Sequence, residues 1–254
     1  MLKSLVQRSP IYPAVRSAYR AVFKASQIIA SARMGAFYAQ FFQPGEIVFD
    51  IGANQGEYSE CFAKEGAKVI AVEPNEGHRP RLQALSAFLN VTPEFVAIAD
   101  KPGTATLNIC STSGYSTLVG ADSDWIANSP DYKGVDWVGK TQVKTMTLDA
   151  LAEKHGIPSF VKIDIEGYEL AALEGMSFKP RYVSFEYGVR RKEIALGCIT
   201  RLGEEGYRFR PIDGRDFRFS TAEWMDDEAA AAWLRSRTLE HGEYGDLFAH
   251  RRAT

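Results

Sequence analysis

The chain has 254 residues, enough for one α/β domain with a full core and a modest extension. Lysine and arginine total 30 against 32 acidic residues, a balance that excludes the charge excess behind non-specific nucleic-acid or membrane binding, so DNA is not an expected partner. Cys61, Cys110 and Cys198 stand far apart with neither a CxxC pair nor a disulfide framework, which fits a reducing, cytoplasmic location and argues against structural zinc.

Residues 1–43 read as an N-terminal helical extension. Lys3, Arg8, Arg16, Arg20, Lys24 and Arg33 are basic, and the first acid is Glu46. Arginines and prolines interrupt every apolar run, so neither a signal-peptide core nor a span of about 20 apolar residues is present. Between Pro13 and Phe42 apolar residues recur at helical spacing. Such a helix either docks on a membrane surface or partner, or packs as a flap over the domain. Peripheral contact through this basic segment and homo-oligomerisation are both open.

Pro44-Gly45 marks the start of the main domain, 44–254. Strands at Ile47–Ile51, Ala67–Val72 and Thr92–Ile98 alternate with helices at about Gly56–Glu65 and Arg79–Leu89. After the Lys101-Pro102-Gly103 turn, a strand at Thr104–Ile109 leads into a polar stretch through Lys140, too long for an ordinary connection. That insertion, at about 110–140, carries Tyr115, Trp125, Tyr132 and Trp137 and reads as a lid or as a surface excursion anchored by its aromatics. Further strands are expected at Thr141–Leu148, Ser159–Ile165, Arg181–Glu186, Tyr207–Pro211 and Asp246–His250. Helices fall between them, one capped by Asp149, one at Tyr168–Glu174 and one at Glu193–Glu204. The rhythm is that of a three-layer αβα fold with a mostly parallel sheet.

In such a sheet ligands bind beyond the carboxyl ends of the strands, beside the first. Asp50-Ile51-Gly52-Ala53-Asn54-Gln55-Gly56 lies there. Gly52 and Gly56 let backbone approach a ligand, and the following helix presents free amides to an anionic group. The spacing is not G-x-G-x-x-G, which disfavours a dinucleotide pyrophosphate. Glu73, after the second strand, stands where an acid accepts hydrogen bonds from ribose hydroxyls. Taken singly, Asp50 and Glu73 also read as a turn acid and a surface carboxylate; their ordered combination points to a nucleoside site.

Phe49-Asp50-Ile51-Gly52-Ala53-Asn54-Gln55-Gly56, then Val72-Glu73-Pro74, then Lys162-Ile163-Asp164-Ile165-Glu166-Gly167-Tyr168-Glu169 together resemble the FkbM family of class I methyltransferases. Ser116-Thr117-Leu118 resembles a further element of that family. The resemblance implies a Rossmann-like sheet of seven strands, the last antiparallel, with S-adenosylmethionine as cofactor. It also implies methyl transfer, most often to an oxygen of a sugar or another small hydroxylated metabolite. By position, Asp50, Gly52, Asn54 and Gly56 would surround the methionine end and Glu73 the ribose. Asp100 would lie near adenine, although Asp100-Lys101-Pro102-Gly103 reads equally as a plain turn.

Lys162, Asp164 and Glu166 alternate with isoleucines in a strand that should be continuously apolar if buried on both faces. Period-two geometry puts the three charges on one side, with the last two at the carboxyl mouth. Unpaired burial would be costly, so they must pair, meet water or touch ligand. One reading is a Lys162–Asp164 ion pair with Glu166 capping the next helix. The other makes Asp164 and Glu166 candidate general bases for a hydroxyl acceptor, with Lys162 orienting a carboxylate. Glu186 ends the neighbouring strand at the same mouth. These three carboxylates also suit Mg²⁺ as hard oxygen ligands, but no metal is assigned. His78 and His155 lack any recognisable pairing and are not chosen. Two further readings share this fold: methylation of a macromolecular glycan or RNA, and a non-catalytic cofactor-binding module.

Overall fold

The computed structural model describes residues 29–111, 116–120, 134 and 136–251. In chain order these form α1 (helical over 29–38), β1 (Ile47–Ile51), α2 (Glu57–Lys64), β2 (Lys68–Val72), α3 (Arg79–Phe88), β3 (Val91–Glu94), β4 (Ala97–Ile98) and β5 (Gly103–Cys110). Then follow β6 (Trp137–Met146), α4 (Leu148–His155), β7 (Phe160–Ile163), α5 (Glu169–Glu174), β8 (Tyr182–Gly188), α6 (Lys192–Gly203), β9 (Tyr207–Asp213), α7 (Asp227–Ser236) and β10 (Tyr244–Arg251). Among the described residues no helix is long and apolar enough to cross a membrane.

The main sheet has seven strands in the order β3-β2-β1-β7-β8-β10-β9. Strands β1, β2, β3, β7 and β8 run parallel, while β10 is antiparallel to both neighbours. This is the expected Rossmann-like, mostly parallel sheet with its last strand reversed. Alternation along β1 sends Phe49 and Ile51 to one face and Val48 to the other, so each face carries its own apolar cluster. Helices α4 to α7 cover the first face through Leu151, Leu173, Ile199 and Leu234. The second is covered by α2 and α3 through Phe62 and Leu82, and by the N-terminal segment through Met34, Phe37, Tyr38, Phe41 and Phe42. The helix read as a flap thus supplies core aromatics from residue 34 onward. Lys3, Arg8, Arg16, Arg20 and Lys24, on which peripheral contact rested, lie outside the described residues.

Several expected elements change on folding. The strand expected at Thr92–Ile98 splits, because β3 closes the edge of the main sheet and β4 pairs instead with β6. The strands expected at Thr104–Ile109 and Thr141–Leu148 form, but as an antiparallel hairpin in a separate three-stranded sheet, β4-β6-β5. Only Ala97, Leu107 and Val143 are buried at the centre of its small core, too few to cover a sheet on both faces. Strand β7 ends at Ile163 rather than Ile165, since Glu166 (φ 53°) and Gly167 (φ 99°) turn left-handed. Thr147, not Asp149, caps α4: its hydroxyl accepts from the Ala150 amide at 3.1 Å, while Asp149 accepts from the Ser177 amide at 2.8 Å. Helix α7 was not expected; Asp226 caps it by accepting from the Ala229 amide at 2.9 Å.

Candidate active site

A cavity of about 890 Å³ opens at the carboxyl ends of β1, β2, β7 and β8. Its floor is the turn after β1. The amides of Gly52 and Ala53 both donate to the Val72 carbonyl at 2.9 Å, tying the turn to the end of β2. Gly52 has φ +84°, and a Cβ there would lie 1.8 Å from the Asp164 carbonyl oxygen. Gly56 has φ +78°, and its Cβ would press on Leu85 at 2.4 Å. Both glycines are therefore required by protein neighbours, Gly52 by the loop after β7 and Gly56 by α3.

Asn54, also left-handed at φ 50°, aims its amide at Glu73. The two Glu73 oxygens accept from the amides of Asn54 at 2.8 Å and Asn75 at 2.7 Å. Burial pushes this carboxyl up to about 7, although both amides favour its charged form. Each oxygen keeps a lone pair, and Glu73 lines the cavity.

Behind the cavity lies a buried polar nest. Asp50 and Lys162 are paired in register across β1 and β7 and share one face of the sheet. The Ser59 hydroxyl donates to Asp50 at 2.5 Å, and neither Asp50 nor Lys162 lines the cavity. Lys162, 1% exposed, donates to Asp164 at 2.8 Å and sits 4.2 Å from the centre of the Tyr58 ring. Burial works against its ammonium, but Asp164, Tyr58, Asp246 and Asp50 outweigh that and hold its pKa above the ordinary lysine range. The same burial pushes Asp50 up, and Asp246 up to about 6. Asp164, in contrast, reaches the cavity.

Of the three charges expected on one side of the strand, Asp164 and Glu166 both reach the carboxyl mouth, but they take different partners. Lys162 and Asp164 meet, whereas the left-handed turn sends Glu166 toward Arg191, whose guanidinium lies 3.4 Å from Glu166 and 3.3 Å from Glu186. Asp164, Glu166 and Glu186 each bring an oxygen within 4.8 Å of the others, an arrangement able to hold a cation. Burial raises the Glu186 carboxyl, and the neighbouring Glu166 and Asp164 raise it further. Glu166 is not the cap of the next helix. Buried Glu169 clamps the turn instead, accepting from the amides of Ile165 and Gly167 at 3.1 Å each. From the insertion, Thr117 donates its hydroxyl to the Glu166 carbonyl at 2.8 Å, and Ser116, Thr117 and Leu118 line the cavity.

Of the residues singled out in the sequence, Gly52, Asn54, Glu73, Asp164, Glu166 and Glu186 line the cavity. Asp50, Gly56 and Lys162 stand behind it. Asp100 is outside, 3.4 Å from the Lys101 ammonium, and Val96, Ala97 and Ile98 form the wall nearest to it in sequence. His155 is bonded to Glu94 at 2.7 Å beyond the site, whereas His78 lines the cavity. Trp137 begins β6 outside it, and Tyr115, Trp125 and Tyr132 lie outside the described residues. Sequence reading gave no role to Tyr58, Glu169, Arg191, Arg215 and Tyr244. Only Glu169 left a local signal, an acid in the first turn of a helix behind glycine.

The methyltransferase FkbM domain family matches residues 50–226. A hexuronic acid methyltransferase of Haloferax volcanii is 30% identical over 142 residues, covering 55% of this chain and 54% of that protein, so the chain spans about half the length of this curated relative. Among solved structures, magnesium protoporphyrin IX methyltransferase of Synechocystis PCC 6803, with its SAM bound, aligns at a TM-score of 0.46 and 14% identity over 97% of this chain and 88% of that one. Precorrin-6y C5,15-methyltransferase of Geobacter metallireducens GS-15 aligns at 0.42 and 13% identity, over 86% of this chain and 88% of that one.

Proposed function

Since the chain belongs to the FkbM family of methyltransferases, we propose that it is an S-adenosylmethionine-dependent O-methyltransferase acting on a hydroxyl of a small, sugar-containing molecule. The observation that carries this reading is Asp164, held by a buried lysine and facing the same cavity as the Gly52–Asn54 turn and Glu73. The cavity's donor set fits the cofactor: a carboxylate with open lone pairs for ribose hydroxyls, and acidic walls for a molecule that carries net positive charge. The hexuronic acid methyltransferase relative supports a sugar acceptor.

When bound, S-adenosylmethionine supplies an electrophilic methyl group on a sulfonium sulfur. The residues of the chain do the rest. Glu73 and the turn at Gly52 and Asn54 hold the nucleoside and methionine parts, with Asp50 bracing α2 from behind through Ser59. Placement of the acceptor supplies most of the rate, because effective molarity contributes about 7–11 kcal/mol in ideal cases. Asp164 takes the proton of the acceptor hydroxyl as a catalytic base. Lys162 is a positioning residue: its ammonium fixes one Asp164 oxygen and leaves the other for the acceptor.

Calorimetric titration with S-adenosylmethionine and with S-adenosylhomocysteine tests the reading. Heat of binding and a thermal upshift are expected, and the absence of both with either compound would overturn it. Asp164→Asn is expected to keep cofactor affinity and to lower the transfer rate by about 10²–10⁴-fold. Full activity in that variant would remove Asp164 from the mechanism.

A further inference from the structure

The cavity wall carries a charge pattern, and its rim an aromatic, that bear on what the site takes. Each guanidinium among the described lining residues is already matched to a lining carboxylate. Arg81 lies 2.6 Å from Glu60, Arg215 lies 2.8 Å from Glu57, and Arg191 spans Glu166 and Glu186. His78 adds no cation, because burial lowers its pKa further below neutrality. Lys162, behind the cavity, is buried on Asp164. A carboxylate on the acceptor would therefore enter a wall whose described carboxylates outnumber its guanidiniums, each of which already faces one or two of them.

At the rim of that wall stands Tyr244, the first residue of β10. It is 45% exposed and lines the cavity beside Glu243, Gly188 and Arg191. Its cross-strand partner is Gly188, which has no side chain to lay over the ring. An exposed aromatic beside hydrogen-bond acceptors suits a ring that is apolar on one face and hydroxylated at its edge.

We propose that Tyr244 is the stacking platform for an uncharged sugar ring, and that the matched guanidiniums make this site select neutral hydroxylated acceptors over uronates. The proposal rests on the methyltransferase reading above and separates this chain from its Haloferax volcanii relative, whose name gives a hexuronic acid. Glu243 and Glu186 accept hydrogen bonds from the sugar hydroxyls, and the ring's C–H face lies on Tyr244.

The test is saturation-transfer NMR on the full chain with S-adenosylhomocysteine bound. The probes are the methyl glycosides of glucose, galactose and mannose, each against the matching methyl glycoside of its uronic acid. Binding of at least one neutral glycoside about tenfold or more tighter than its uronate is expected. Tyr244→Ala should weaken that glycoside about three- to tenfold, and Tyr244→Phe should restore it. S-adenosylhomocysteine affinity, unchanged in both variants, reports that the fold is intact. A uronate that binds as tightly as its neutral partner overturns the proposal, as does an undiminished affinity in Tyr244→Ala. Binding of S-adenosylhomocysteine with no glycoside bound overturns the proposal alone and leaves the methyltransferase reading standing. Failure of S-adenosylhomocysteine itself to bind overturns both.

Discussion

Glu73 shows how one side chain couples the fold to the ligand. Its carboxylate clamps the turns after β1 and β2 through two amides, and burial raises its pKa to about 7. On the proposed function, the ionised form would accept from a ribose hydroxyl, whereas the protonated form would spend an oxygen as a donor. Cofactor affinity is therefore expected to fall as the pH drops below about 7, approaching tenfold per unit, and Glu73→Gln should lack this step. Stability moves the other way. A carboxyl raised in the folded state binds its proton more tightly there than in the unfolded chain, so this contribution is fullest below the unfolded value of 4.5 and is lost as the pH rises to about 7. Calorimetry and urea melts at pH about 6 and about 8 measure the two trends, which must have opposite signs. Glu73 was legible in the sequence from its distance to the glycine turn. Its bond to the Asn54 amide was not, because that bond needs the left-handed backbone at Asn54.

At the scale of elements, the short segment 116–120 is held over the site by bonds to β5 and to the loop after β7. Asn108 and Thr117 exchange backbone hydrogen bonds at 2.9 and 3.1 Å, and the Thr117 hydroxyl reaches the Glu166 carbonyl across the cavity wall. Thr117→Val keeps the shape and removes the hydroxyl that bonds the Glu166 carbonyl and accepts from the Val119 amide at 3.1 Å. It is expected to cost about 1 kcal/mol in urea melts, since a half-buried carbonyl and an amide each lose a partner, and to lower methyl transfer while cofactor affinity holds. Undiminished transfer would show that this hydroxyl does not position Glu166. Strand and helix types were mostly readable, because periods of 2 and 3.6 are local. Sheet membership was not. Nothing in Thr104–Ile109 or Thr141–Leu148 tells a strand to leave the main sheet, and β4 joined them only because β6 offered an edge.

For the whole molecule, the N-terminal segment and the sheet form a single aromatic core. Phe41 stacks on Phe248 with centroids 4.7 Å apart and meets Phe160 at 5.4 Å, joining the segment before β1 to β7 and β10. Phe41→Ala should cost about 3–5 kcal/mol by urea denaturation. That is a large share of the 5–15 kcal/mol typical of a domain. A loss below about 1 kcal/mol would mean that the segment packs loosely and that the main domain starts after it.

The order of most strands and helices, the glycine turn after β1, and the Lys162–Asp164 pair were fixed by residues close together in the chain, where spacing alone sets which side chains share a face. The tertiary structure decided the rest. It showed that Gly52 and Gly56 make room for Asp164 and α3, that Glu166 pairs with Arg191, and that Arg81, Arg191 and Arg215 are matched by carboxylates around the cavity. Those relations join segments brought side by side by sheet order and by left-handed turns, and local periodicity carries no record of either.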